Sequence, residues 1–260
     1  MTVLCACGAD VVRPGGDTPL CPACLIRLAL EPNTIDDVPS SEREPPRLLG
    51  PVGSGPHGMV YLAYRPSDEP PIVTIKLVNA DSEHPIDAER FCERVRTLAE
   101  RLVSIPRAGL PAFLEPGATA DGRLYVIAPY VPGSSIDDYV AGRRRPPSER
   151  LAVAGRLCAL VAELHRHGIV HGSIKSPNII VAESPNGIFP TLLDVGIVPA
   201  IDQSRGLASS PGPQNDMSDG LHRDVRSLRV VLIQLLDESL APDMRGADSA
   251  AALAALLAAP

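Results

Sequence analysis

The order of the secondary-structure signals constrains the fold of this chain more than any other feature. Four short apolar runs bounded by Gly and Pro predict strands: LLGPVGSG, HGMVYLAY, PIVTIKLV and RLYVIAPYV. Apolar residues at helical spacing predict helices over residues 87–102, over SERLAVAGRLCALVAELHRHG, and from Asp224 onward. In the second helix, Ser148 is placed to cap the start and Gly168 to follow the end. Because strands dominate the first part and helices the second, we predict an α+β fold with two lobes.

Composition divides the chain further. Residues 1–30 form a Cys-rich module, residues 31–46 read EPNTIDDVPSSEREPP and predict a linker, and residues 47–260 form the main domain. With 260 residues, 45% of them hydrophobic, the chain can bury one sizeable core. A net charge of −7 argues against a general binder of nucleic acid or anionic membranes. No apolar run reaches the roughly 20 residues that span a membrane, and the start lacks signal-peptide features, so we expect a cytoplasmic protein.

The N-terminal cysteines form a C-x-C pair followed, after thirteen residues, by a C-x-x-C pair. Four thiolates held in two turns suit the tetrahedral preference of Zn²⁺. A segment of about 25 residues cannot bury a core by itself, so a bound zinc would be its main source of stability. A knuckle that has lost its metal and a redox pair are the alternatives. The predicted ligands are Cys5, Cys7, Cys21 and Cys24.

A glycine-rich turn separates the first two predicted strands. Gly53, Gly55 and Gly58 form G-x-G-x-x-G, followed by Val60. Glycines allow backbone N–H groups to approach a phosphate without interference from a Cβ. Since a strand follows rather than a helix, the turn does not fit the dinucleotide-binding pattern. Lys76 lies in the apolar strand IVTIKLV and is costly to bury unless an anion meets it, although an edge-strand Lys facing solvent is an alternative.

Six ordered motifs together make the chain resemble a protein kinase domain of the bacterial serine/threonine type, from about residue 47 to the C-terminus. The glycine turn resembles G-x-G-x-x-G-x-V, VTIK resembles V-A-I-K, HGSIKSPN resembles H-R-D-x-K-x-x-N, and DVG resembles D-F-G. YVIAPYVPG resembles the strand and hinge that carry adenine, and DVRSLRVVL resembles the helix under the catalytic loop. The segment CACG…CPACLIRLAL also resembles zinc-ribbon leaders that precede some bacterial kinases.

The resemblance implies a small β-rich lobe, a helical lobe, and the binding of ATP with Mg²⁺. The three glycines and the Val that follows them would cover the phosphates, and Lys76 would contact the α- and β-phosphates. Asn178 and Asp194 would supply the oxygen ligands that Mg²⁺ prefers. Pro129 would offer its carbonyl, and Val131 its N–H, to adenine.

The departures from the family pattern concern phosphoryl transfer. Ser173 stands where the family has the catalytic Asp, although Lys175 of the same loop is retained. Gly172 replaces the Arg that pairs with a phosphorylated activation loop, and Val195 replaces the Phe of D-F-G. Thr74 places a hydroxyl where the family has Ala above the adenine. Because a serine hydroxyl is not basic near neutral pH, loss of the base would cost roughly 10²–10⁴ in rate.

Two further segments also differ from the family. The helix AERFCERVRTLAERL places Arg94 where a Glu partner for Lys76 is expected, and Glu93 would need a shift in register. The A-P-E segment is missing, and SSPGPQNDMSDG in its region predicts a flexible loop.

Three functions remain open from the sequence. The first is an ATP-binding kinase-like domain with impaired catalysis, a pseudokinase acting as a scaffold or allosteric regulator for a protein partner that the sequence does not identify. The second is an active or weakly active serine/threonine kinase, which would need another acid near its substrate. The third is an interaction module that binds no nucleotide.

Overall fold

The computed structural model of the chain describes residues 3–4, 10–11, 46–68, 71–79, 85–105, 109–119, 122–142, 145–184, 187–205, 212–240, 244 and 246–258. Near the N-terminus, β1 (Val3–Leu4) pairs antiparallel with β2 (Asp10–Val11). The predicted zinc ligands Cys5, Cys7, Cys21 and Cys24 lie outside the described residues, as does nearly all of the linker. Zinc binding therefore stays a prediction.

The chain forms two compact units. One unit comprises Met1–Ser104 and Ala112–Pro132, and the other comprises Ile105–Pro111 and Gly133–Pro260. The first is built on a β-sheet and the second is mainly helical, which confirms the predicted α+β fold class.

A five-stranded antiparallel sheet forms the centre of the first unit, and its spatial order is β3-β4-β5-β7-β6. All four predicted strands are present in it. Alternate residues of the inner strands face the core, as the two-residue period of a strand requires, and the core residues are Ala63, Val73, Ile75, Tyr125 and Ile127. The strands are β3 (Arg47–Gly55), β4 (Gly58–Tyr64), β5 (Ile72–Val78), β6 (Glu115–Ala118) and β7 (Leu124–Pro129).

One helix, α1 (Ala88–Val103), packs against β6 and confirms the helix predicted over residues 87–102. The Asp87 carboxylate accepts the Arg90 N–H at 3.0 Å and caps the start of this helix. At the end of β4, the fully buried Arg65 is neutralised by Asp68 at 2.6 Å and by Glu115 at 2.8 Å. Such pairing is what makes a buried guanidinium tolerable.

The second unit consists of helices and one small sheet. The sheet joins β8 (Ser134–Ser135), β9 (Ile179–Ser184) and β10 (Gly187–Leu192) in the order β10-β9-β8. The helices are α2 (Ile136–Gly142), α3 (Pro147–Arg166), α4 (Ile197–Ser204), α5 (Gly212–Leu240) and α6 (Ala250–Ala258). None of the described helices is both long and apolar enough to cross a lipid bilayer.

The long helix α3 confirms the strongest helical prediction but corrects its cap. The residue before the helix is Pro146, no side chain caps the start, and Ser148 lies inside the first turn. Proline suits a helix start because the first N–H groups have no partner within the helix, so α3 begins earlier than the Ser148 cap predicts. Gly168 has φ +63° just after the helix, as predicted.

The start of α5 is a second correction. We expected a helix from Asp224 and a flexible loop over SSPGPQNDMSDG, but α5 begins at Gly212 and includes the last nine residues of that segment. Gly220 explains part of the difference, because a Cβ there would lie 2.7 Å from Cγ2 of Val170. The close packing of this glycine gives the polar segment a tertiary contact that its composition does not reveal.

Candidate functional site

The glycine-rich turn joins β3 to β4, and Gly55 pairs with Gly58 across it. Asn79, just beyond β5, holds this turn: its side-chain amide lies 3.0 Å from the Pro56 carbonyl, and its backbone N–H donates to His57 at 3.2 Å. The sequence reasoning missed Asn79, whose only signal is a polar residue directly after an apolar strand. The turn is therefore fixed at its base by the neighbouring strand.

Only some of the glycines are required by packing. Gly58 has φ +153°, and a Cβ there would overlap the Leu77 carbonyl oxygen and lie 3.0 Å from its carbon. Gly53, in contrast, has no atom within 4 Å of an added Cβ. Gly58 thus permits the close approach of β4 and β5, whereas packing does not require a glycine at position 53.

We therefore expect Gly58→Ala to reduce the free energy of unfolding by about 1–3 kcal/mol, because the new methyl group must push β4 away from β5. Denaturant unfolding of the purified protein measures this loss. Gly53→Ala is the matched control and should be near neutral for stability. Equal losses in the two variants would contradict the packing role of Gly58.

Several predicted nucleotide-binding residues share one face of the sheet. Lys76 is half-buried on β5 and pairs in register with Val60 and Val126, so its side chain and that of Val60 lie on the same face. Thr74 lies on this face too, and its hydroxyl donates to the Ala128 carbonyl at 3.3 Å. The hydroxyl that departs from the family pattern is thus satisfied within the sheet.

The hinge segment follows at the end of β7. Pro129 pairs with Val73, and the Tyr130 N–H continues the ladder by donating to the Ile72 carbonyl at 3.3 Å. Val131 comes next and is half-buried. The main chain at Pro129 therefore belongs to the central sheet, and Val131 lies just beyond its last hydrogen bond.

Helix α1 buries Phe91 and Val95 and exposes Glu93 and Arg94. The register that assigns position 94 to the expected Glu stays a prediction.

In the second unit, residues 171–178 form the loop that the resemblance identifies as the catalytic loop. Asp224 of α5 anchors this loop. The Asp224 carboxylate accepts the N–H of His171 at 2.7 Å and that of Gly172 at 2.8 Å, and it lies 3.1 Å from Nε2 of His165. Asp224 is only 1% exposed. The sequence reasoning named Asp224 only as the expected start of this helix and missed its hydrogen bonds to the loop.

Ser173 and Asn178 form the centre of the loop. The Asn178 amide nitrogen donates to the Ser173 carbonyl at 2.9 Å and lies 3.0 Å from its Oγ. The Ser173 N–H in turn donates to Nδ1 of His171 at 3.3 Å. Lys175 is exposed, and its carbonyl accepts the Asn178 N–H at 2.9 Å. The loop therefore holds a hydroxyl in a fixed place at the position where the resemblance implies a base.

Asn178 also connects the loop to the segment of Asp194. Its carbonyl accepts the N–H of Leu193, next to Asp194, at 2.8 Å. Because the amide nitrogen faces Ser173, the amide oxygen is the atom left for a cation. One carboxylate and one amide oxygen fit Mg²⁺, which keeps several waters and shares substrate phosphates. Among the described residues, no group of three or more His, Cys, Asp or Glu side chains could form a complete metal site.

Asp194 has φ +56° and is the one described residue other than glycine with a positive φ. Such a conformation is costly for a residue with a Cβ and is maintained only where the surroundings fix it. Val195, which follows, is fully buried. The smaller side chain at the family's Phe position is thus still a core residue.

The burial of His171 predicts that the stability of the second unit depends on pH. It is fully buried, and burial lowers the pKa of its imidazole below the ordinary 6.5, although the nearby Asp224 acts in the opposite direction. Among the described residues, none accepts a hydrogen bond from its Nε2. The folded state therefore binds this proton less readily than the unfolded state does.

The buried neutral His171 should therefore leave the free energy of unfolding undiminished above pH 6.5. As the pH is lowered from there towards the folded-state pKa of His171, the free energy of unfolding should fall. Thermal unfolding midpoints between about pH 5 and about pH 8 measure the effect, since histidine titrates there. His171→Phe should flatten the dependence, and His222→Gln, at an exposed histidine of α5, should leave it unchanged. Parallel curves for all three proteins would contradict the role of His171.

The fold and these motifs define a protein kinase domain, and comparison with known families agrees. The chain belongs to the protein kinase family, since the sequence profile described as protein tyrosine and serine/threonine kinase matches residues 47–212.

Similar proteins are bacterial serine/threonine-protein kinases. Pkn2 of Myxococcus xanthus is 29% identical over 157 residues, which cover 60% of this chain and 18% of that protein. PknK of Mycobacterium tuberculosis is 29% identical over 149 residues, covering 56% and 12%. PknJ of the same species is 26% identical over 216 residues, covering 78% and 36%. The match thus spans well under two thirds of the length of each of these relatives.

Proposed function

We propose that this chain is an ATP-binding protein kinase domain in which phosphoryl transfer is impaired, and that it acts as a scaffold or allosteric regulator. One observation carries the proposal: the residue that the resemblance aligns with the catalytic Asp is Ser173, whose Oγ lies 3.0 Å from the Asn178 amide nitrogen. Asp224 contacts the same loop, but its carboxylate is buried and already accepts two backbone N–H groups. It is therefore unavailable to take a proton from a substrate hydroxyl.

Nucleotide binding draws support from the residues that remain. Lys76 would contact the α- and β-phosphates, the main chain at Pro129 and Val131 would contact adenine, and Asn178 and Asp194 would hold Mg²⁺. When bound, Mg²⁺ neutralises phosphate charge and orients the phosphates. These functions need no base, so the loss of the Asp does not remove them.

Thermal unfolding with and without Mg-ATP tests this binding. A ligand that binds only the folded state stabilises it by about 2.7 kcal/mol at 100 times its Kd, so Mg-ATP should raise the unfolding midpoint. Lys76→Met should reduce the rise, and Asp194→Asn should remove its Mg²⁺-dependent part. Asp202→Asn, an exposed Asp of α4, is the matched control and should retain the full rise. A rise of equal size in all four proteins would refute the assignment of these residues.

An active or weakly active kinase is the second candidate, because the relatives above carry the name serine/threonine-protein kinase. It requires an acid other than residue 173 to orient the substrate hydroxyl. A domain that binds no nucleotide is the remaining candidate, and the absence of any Mg-ATP effect on the unfolding midpoint would favour it. A cytoplasmic location stays a prediction.

We also propose that residues 1–30 bind one zinc ion through the four N-terminal cysteines. The short strands β1 and β2, which flank the C-x-C pair in the sequence, pair antiparallel with each other. Elemental analysis of purified protein should give one equivalent of zinc per chain. Cys21→Ser should lower that content, whereas Cys92→Ser, at a half-buried position of α1, should not. A zinc-free protein from a zinc-supplemented preparation would overturn the proposal.

A further inference from the structure

The catalytic loop meets the start of α4 at two points, and each point involves a glycine with positive φ. Gly172 has φ +77° and Gly196 has φ +71°, and the His171 carbonyl accepts the Gly196 N–H at 3.0 Å. An ideal Cβ at position 172 would lie 2.6 Å from Cγ of Pro199 and closer still to its Cδ. The Pro199 ring therefore occupies the space that any side chain at position 172 would need.

Helix α4 is suited to carry a proline at this point. Pro199 is the third residue of the helix, where its missing N–H removes no helical hydrogen bond. The other face of the helix is in the core, and its buried residues are Ile197, Val198, Ala200, Ile201 and Ser204. The ring is thus presented from a helix that is itself held by apolar packing.

Position 172 also has a hydrogen bond to α5. The Gly172 N–H donates to the buried carboxylate of Asp224 at 2.8 Å, so the peptide that faces the Pro199 ring is also hydrogen-bonded to α5. Only two residues separate Asp194 from α4. A displacement of α4 would consequently change the backbone of Asp194, whose φ of +56° depends on its surroundings.

We propose that Pro199 and Gly172 form a latch that docks α4 on the catalytic loop and fixes Asp194 without any phosphorylation of the segment. The resemblance assigns position 172 to an Arg that pairs with a phosphorylated residue, and no side chain fits there while Pro199 is seated. A van der Waals contact takes the place of that ion pair. The importance of the latch for Mg²⁺ rests on the function proposed above, but its existence does not.

Hydrogen exchange of nucleotide-free, phosphatase-treated protein tests the latch directly. In the wild type, peptides covering residues 197–204 should be protected. Pro199→Ala should accelerate their exchange by about tenfold, although alanine is the better helix former, because the ring contact is lost. Gly172→Ala should accelerate it at least as much, since the new Cβ displaces the ring.

Two controls separate the contact from general strain. Gly122 has a similar φ of +82°, and a Cβ added there would have no atom within 4 Å. Gly122→Ala should therefore leave the exchange of α4 unchanged. The double variant Gly172→Ala with Pro199→Ala should exchange no faster than Pro199→Ala alone, because the clashing ring atoms are gone.

Several results would overturn the latch. Unchanged hydrogen exchange of α4 in Pro199→Ala would overturn it, and this test does not depend on whether Gly172→Ala folds. Additive effects in the double variant are another, and so is protection of α4 that appears only in phosphorylated protein. Because no nucleotide is present, failure here is distinct from failure of Mg-ATP binding, which the unfolding measurements above detect.

Discussion

Replacing Ser173 by Asp is expected to raise phosphoryl transfer by about 10²–10⁴-fold, or ~3–5.5 kcal/mol of barrier, if substrate still docks. A carboxylate at position 173 would lie near the Asn178 amide, which donates to the Ser173 carbonyl and lies 3.0 Å from its Oγ. A carboxylate there would orient a substrate hydroxyl and accept its proton, which the serine cannot do near neutral pH. Transfer of labelled phosphate from ATP to a generic basic protein and to the chain itself measures the gain.

Ser173→Asn is the matched control, since it has the size of Asp without its charge. A large gain in the Asp variant alone would show that the rest of the apparatus is intact and only the base is missing. Equal rates in the Asp and Asn variants would contradict this, and would mean that substrate docking or metal positioning is lost as well. Strong transfer by the wild type would favour the active-kinase alternative.

Asp224→Ala is expected to lower the free energy of unfolding by about 2–5 kcal/mol. The variant leaves the N–H groups of His171 and Gly172 without their acceptor, and removes the partner of His165 from a buried position. Denaturant unfolding measures the loss, and Mg-ATP binding should weaken with it because the catalytic loop loses its support.

Asp219→Ala is the control for this prediction, because Asp219 lies on the same helix α5 but is exposed. We expect it to change stability only slightly, as surface substitutions usually do. A similar small effect for Asp224→Ala would contradict the view that this carboxylate anchors the loop.

The sequence predicted the parts of the fold that depend on local periodicity. The short apolar run IVTIKLV predicted β5, and the helical spacing around Leu157 and Leu164 predicted α3. The predicted start of α5 was wrong. Gly220 packs closely against Val170, fifty positions earlier in the sequence, and no local pattern contains this contact.

The candidate site shows the same division. The motif residues Lys76, Asn178 and Asp194 stand out by type and spacing. The residues that fix the backbone of the two loops do not stand out. Asp224 accepts the His171 N–H and Asn79 donates to the Pro56 carbonyl, and both partners are far away in the sequence. The Pro199 contact with Gly172 depends on two backbone turns meeting, which composition and periodicity do not report.

Calorimetric titration of the purified protein with ATP, in the presence and absence of Mg²⁺, tests the central claim most directly. It needs no substrate, and continuing heat would reveal turnover in the same experiment. The proposed function predicts saturable binding that strengthens with Mg²⁺, without sustained heat from hydrolysis. The absence of binding at millimolar nucleotide would contradict it and would leave a kinase fold that serves only as an interaction surface.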